Sequence, residues 1–140
     1  MDVVTNDDAD IDLVRRAFSE FEVGRTDIEE YYNRFWHPDA EIEAVDGFPV
    51  PGSYRGFDGY RRWFADSYGP YEDVRRHLDS ITREGDRVVA LLTITGRAKG
   101  DDLELEVKTG STYEVEDGRI KRLCVYVGHE RAILAAHTSA

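Results

Sequence analysis

Apolar residues at Ile11, Val14, Phe18 and Phe21 recur at three- and four-residue intervals, which puts them on one face of a helix. Asp10 stands where an N-cap belongs, and Gly24 ends the run. A second helical stretch opens at Thr26, with Glu29 three residues on as its reciprocal capping partner. It carries Tyr31, Tyr32, Phe35 and Trp36 before Pro38 stops it. Residues 40–44 alternate as a short strand, and a Gly- and Pro-rich loop follows from Asp46 to Gly56. Tyr60, Trp63 and Phe64 restore helical spacing over residues 57–68, and Gly69-Pro70 closes this third helix.

The period then changes from helical to two. Residues 72–83, 87–97, 103–116 and 119–127 read as strands. Their connections, Glu84-Gly85-Asp86, Lys99-Gly100-Asp101-Asp102 and Glu116-Asp117-Gly118, are short enough for an antiparallel meander. The third strand alternates most cleanly: Leu103, Leu105, Val107, Thr109, Ser111, Tyr113 and Val115 share a face. Glu104, Glu106, Lys108, Thr112 and Glu114 share the other. Helices first and strands second make an α+β domain, three N-terminal helices packed on a curved, mostly antiparallel sheet. Such a cone has a mouth, where ligand sites form. The expected layout is an acidic arm over 1–9, one domain over 10–136 ending in a short helix or tail from 129, and a C-terminal tail over 137–140.

Length agrees with one domain, since 140 residues sit in the common domain range. Charged residues are 34% of the chain, against about 25% in ordinary domains, and the excess is acidic, for a net charge of −11. That charge disfavours nucleic acid and anionic membranes as partners. One cysteine, Cys124, excludes an internal disulfide and a cysteine-based zinc site. No stretch approaches a membrane span, and the opening Met1-Asp2-Val3-Val4 is not a basic signal, so a cytoplasmic location is expected.

Candidate chemistry is sparse. Trp63, Tyr32 and Phe35 are expected to line a cavity, the other aromatics to fill the core between helices and sheet. Thr93, Thr95, Thr109, Ser111 and Tyr113 fall on the expected concave faces of neighbouring strands, where buried hydroxyls need partners that a polar ligand group can supply. Asp39 is open to a catalytic or a turn-capping reading. Arg15-Arg16, Arg61-Arg62 and Arg75-Arg76 read as solvated pairs. The four histidines show no metal-ligand spacing, so no metal and no cofactor is expected.

Four phrases in order, Phe35-Trp36-His37-Pro38-Asp39-Ala40-Glu41-Ile42, Tyr54-Arg55-Gly56, Glu84-Gly85-Asp86-Arg87-Val88 and Asp117-Gly118-Arg119-Ile120, resemble the SnoaL-like branch of the nuclear-transport-factor-2-like superfamily. The resemblance covers residues 10–136. It implies a cystatin-like α+β roll, a small-molecule pocket and a homodimer formed through the sheet. Ketosteroid-isomerase and epoxide-hydrolase relatives carry ionisable groups where this chain has Ala44, Phe18 or Ala17, Leu91, Thr93, Thr109 or Ser111, and Val125. Those reactions are therefore not expected, and Phe18, Leu91 and Val125 become expected walls. Dehydratase-like relatives pair a strand histidine with an acid near the end of the first helix, which here would be His77 with Glu22, and Asp39 as an auxiliary. The reading that follows is a pocket for a small apolar molecule bearing a carbonyl or hydroxyl. It serves either a cofactor-independent lyase or isomerase using His77, or a binding module without chemistry, or a homodimeric interaction protein.

Overall fold

A computed structural model describes residues 5–21, 27–44, 52–129 and 133. Helix α1 (Thr5–Ser19) and helix α2 (Ile28–Phe35) precede strand β1 (Trp36–Ala44), strand β2 (Gly52–Arg55) and helix α3 (Gly56–Tyr68). Four long strands follow: β3 (Tyr71–Glu84), β4 (Arg87–Ala98), β5 (Glu104–Glu116) and β6 (Arg119–Val127). They form one six-stranded sheet in the order β2-β1-β6-β5-β4-β3. Only the β1–β6 pair is parallel; every other neighbour is antiparallel. The architecture is therefore α+β, three helices on a curved mixed sheet.

The meander matches the sequence expectation because its turns are encoded locally. Asp117 (φ 55°) and Gly118 (φ 76°) are both left-handed, as a two-residue type I′ hairpin requires. The N-terminal half differs in detail. α1 begins at Thr5, five residues into the expected arm, so Asp10 lies within the helix. Its carboxylate does not cap but meets Arg83 Nη2 of β3 at 2.6 Å. The cap of α2 is Asp27, whose Oδ1 accepts from the N–H groups of Glu29 and Glu30, each at 3.2 Å. The expected cap Thr26 lies outside the described residues, as does most of the expected terminal helix.

β1 starts four residues earlier than the alternation suggests. A register shift between Trp36 and Glu41 leaves Pro38 out of the ladder, where its missing N–H costs nothing. β2, inside the expected loop, pairs Tyr54 with Ile42.

The core lies between the helices and the concave sheet face. Val14 and Ala17 of α1, Tyr31, Tyr32 and Phe35 of α2, and Tyr60 and Trp63 of α3 are all buried. Opposite them lie Ile42, Ala90, Leu92, Leu123 and Val125. No helix among the described residues is long and apolar enough to cross a membrane.

Candidate functional site

Register decides what faces the inside. Leu92 pairs with Thr109, and Thr109 with Val127; Ala90 pairs with Ser111, and Ser111 with Val125. Because side chains alternate along a strand, Thr109, Ser111 and Tyr113 project together into the concave face. All three are buried. Ala17, Phe18, Tyr31, Tyr60, Trp63 and Tyr68 roof them from the helices and enclose a cavity of about 40 Å³. That is room for about three water molecules. Beside it runs a groove of about 190 Å³ between the end of α3 and the far ends of β3, β4, β5 and β6. Tyr68, Ile94 and Thr109 belong to both walls, so the two spaces adjoin.

Among the described residues lining the cavity, Arg76 is the one basic group. No aspartate, glutamate or histidine is among the described residues lining it. The guanidinium stacks 5.0 Å from the Phe18 ring centroid and 4.9 Å from that of Phe21. Among the described residues, no carboxylate pairs with it. Burial acts against its charge, and the phenol oxygens of Tyr68, Tyr31, Tyr113 and Tyr60 outweigh burial, so its pKa lies above the ordinary value.

Burial itself acts in the opposite direction on the phenols, because their charged form is the deprotonated one. Burial pushes Tyr31 up to about 12, and Tyr60 and Tyr113 are also raised, again chiefly by burial. They stay protonated donors at any physiological pH. The Tyr31 hydroxyl donates to the Ala17 carbonyl at 2.8 Å. Two indole N–H groups in the cavity wall, those of Trp36 and Trp63, are buried without a hydrogen-bond partner. Trp36 lies close enough to lower the Tyr31 pKa somewhat, but without hydrogen-bond geometry.

Of the residues singled out from the sequence, Phe18, Trp63, Thr109, Ser111, Tyr113 and Val125 come together on this cavity. Phe18 meets Tyr113 edge-on at 6.2 Å. Tyr32 and Phe35 instead lie in the core behind it, each 2% exposed. The Tyr32 hydroxyl donates to the His37 carbonyl at 2.8 Å, and its ring stacks on Trp36.

Strand parity sends the remaining candidates outward. His77 pairs with Thr93, and Thr93 with Lys108, on the convex face. The His77 side chain is 79% exposed, with Nδ1 2.8 Å from Asp79 Oδ1. Thr93 Oγ1 donates to Asp79 Oδ2 at 2.6 Å and accepts from Lys108 Nζ at 3.1 Å. These contacts hold the Asp79 carboxyl below its ordinary pKa, Thr93 contributing most and His77 next. The expected pocket positions of His77, Thr93 and Leu91 are thus corrected: Arg76, Leu78, Leu92 and Ile94 face inward in their place. Thr95 shares the outward parity yet borders the groove. Asp39 is exposed, its backbone N–H donating to His37 Nδ1 at 3.0 Å. Glu22 lies outside the described residues. His129, at the end of β6, brings Nε2 to 3.0 Å from the Leu92 carbonyl.

Arg76 is the residue that sequence reasoning misread. In a strand, adjacent arginines cannot both face water when one side is covered, so Arg75-Arg76 carried the signal that one of them points inward. Which one depends on the register shift between Glu72 and Arg75, where Asp73 takes φ 54°. Among the described residues, no three His, Cys, Asp or Glu side chains gather as a metal site.

This chain belongs to the SnoaL-like domain family, whose model matches residues 9–123. Its structure is similar to that of TerC co-crystallised with polyporic acid, at 18% identity and TM-score 0.72 over 91% of this chain and 98% of that one. An NTF2-like protein of unknown function from Burkholderia pseudomallei superposes equally well, with 18% identity, TM-score 0.72, and 94% and 98% coverage. A ketosteroid-isomerase-like protein from Catenulispora acidiphila in complex with trimethylamine matches at 16% identity and TM-score 0.61, over 79% and 82%. No curated protein matches the sequence.

Proposed function

We infer that this SnoaL-like domain binds a small apolar molecule through an acceptor oxygen, such as a carbonyl or hydroxyl, without itself transferring protons. The observation that carries this reading is the composition of the cavity wall. It offers donors (Arg76, the phenols, two indoles, Thr109 and Ser111) and, among the described residues, no carboxylate or imidazole to act as a base. General acid–base catalysis needs a group that titrates near the working pH within hydrogen-bond reach of the substrate. His77 sits on the opposite face of the sheet and is out of that reach. Two structures of the same fold, TerC with polyporic acid and the Catenulispora protein with trimethylamine, were obtained with small organic molecules, which favours the chamber as the place of binding.

The convex face belongs to the same proposal, as the surface of a homodimer. Arg122 sits there among Glu43 (2.6 Å), Glu41 (3.2 Å) and Glu114 (3.9 Å), a partly exposed network that a second copy could cover.

Both tryptophans of the chain line the cavity, so intrinsic fluorescence reports its occupancy. Titration with a panel of aromatic ketones, quinones and alcohols is expected to give saturable quenching, a raised Tm and no consumption of ligand. Turnover of any panel member would overturn the non-catalytic reading, and absence of saturable binding across the panel would overturn the binding reading.

A further inference from the structure

The charge balance of the cavity points to a narrower ligand class, and this inference rests on the binding reading above. Arg76 is half-buried, and a guanidinium partly withdrawn from water gains from a charge or a set of acceptors that replaces the lost hydration. At Arg76 the replacements are aromatic faces and phenols, which carry no formal negative charge. The chain has 29 carboxylates, yet none among the described residues is placed against this cation. Among the described residues the wall therefore holds a half-buried positive charge with no acidic partner. It also holds donors that no protein acceptor meets there: the N–H groups of Arg76, and a Trp63 indole N–H buried without an acceptor. A planar group with two acceptor oxygens and one negative charge would complete both inventories, and a guanidinium fork matches a carboxylate in geometry as well as in charge.

The space around Arg76 divides in a way that suits such a ligand. The cavity, about 40 Å³, has the size of a headgroup and little more. The adjoining groove, about 190 Å³, is walled by Val74, Ile94, Leu105, Val107 and Val127, and among the described residues lining it none is charged. Gly96 keeps it open, since a Cβ there would come within 3.3 Å of Val74 Cγ2. Leu105 and Val107 are 44% and 42% exposed, unusual for strand residues on an inner face, so this apolar wall is uncovered.

We propose that the cavity and groove together form a site for an apolar monocarboxylate, its carboxylate against Arg76 and its hydrocarbon tail in the groove lined by Leu105 and Val107. A matched pair of probes, 4-phenylbutyrate and 4-phenyl-1-butanol, separates charge recognition from apolar binding because the two share a skeleton. Measured by tryptophan quenching and calorimetry on the whole chain, the acid is expected to bind about ten- to a hundredfold more tightly, the range for a hydrogen bond to a charged group. Arg76→Met should erase that preference while leaving the alcohol within about twofold, and Arg76→Lys should retain part of it through charge without the fork. Val107→Asp, which puts a hydrated charge in the groove where the apolar tail would lie, should weaken both probes. Equal binding of acid and alcohol by the unmodified protein overturns the carboxylate inference but leaves the binding reading standing. Binding of neither probe also overturns the carboxylate inference, while the panel titration decides the binding reading separately. The comparison on the unmodified protein decides the matter even where an Arg76 variant does not fold.

Discussion

The Arg76 guanidinium lies 5.0 Å from the centre of the Phe18 ring, and the two come from a strand and a helix far apart in sequence. Phe18 in turn meets Tyr113, so the cation, the helix α1 and the strand β5 are joined through one aromatic edge. This contact ties the roof of the cavity to its floor. A ligand seated at Arg76, as proposed above, would therefore bear on the seating of α1.

Phe35 tests the packing behind the cavity. It is 2% exposed, packs on Tyr31 at 5.2 Å and does not line the cavity. Phe35→Ala should cost about 3–5 kcal/mol of stability by the usual loss of transfer energy plus cavity formation. Denaturant unfolding measures the cost, and the fraction that remains folded should bind ligand with unchanged affinity.

The buried phenols set an alkaline limit on stability. Their folded-state pKa is raised above the ordinary tyrosine value of 10.0, to about 12 for Tyr31, with Tyr60 and Tyr113 also raised. Below pH 10 the phenols are protonated in both states, and the stabilisation is fully present. Above pH 10 the unfolded chain releases protons that the fold retains, so stability falls as pH rises toward 12. The slope is about 1.4 kcal/mol per pH unit for each retained proton. Unfolding free energies should be flat from pH 7 to 9 and drop steeply beyond 10, while tyrosinate absorbance of the native protein lags behind that of the unfolded chain.

His77 should prove dispensable for ligand binding. His77→Ala removes a neighbour of Asp79 on the convex face, so the Asp79 carboxyl pKa should rise, and Thr93→Val should raise it further because Thr93 contributes more. Carbon-detected NMR titration reads both shifts. Loss of ligand affinity in His77→Ala would contradict the outward placement.

Gly59 is a packing requirement rather than a conformational one. A Cβ there would lie 2.9 Å from the Tyr54 carbonyl carbon, where α3 crosses β2. Gly59→Ala gains about 1 kcal/mol of helix propensity yet should destabilise the protein by about 1–3 kcal/mol through overpacking. A lowered denaturation midpoint is the expected readout, and a stabilised variant would show that α3 and β2 separate easily.

Much of this protein is legible along the chain because it is written in short-range signals. The period-two runs and their Gly-containing turns located β3 to β6 within a residue or two, since a hairpin is specified by the residues at its own turn. The alternation of Thr109, Ser111 and Tyr113 likewise announced an inner face. What tertiary structure alone decided was parity and enclosure. A register shift beside Asp73 turns Arg76 inward and His77 outward, and nothing local to those two residues distinguishes them, because a one-residue slip exchanges the faces of a strand. In the same way Tyr32 and Phe35 read as cavity walls from the sequence, whereas in the fold Tyr32 packs on Trp36 and Tyr60 and Phe35 on Tyr31, and those rings line the cavity in their place. Local sequence chose the elements; the long-range pairing of β3 with β4 chose which charge the cavity keeps.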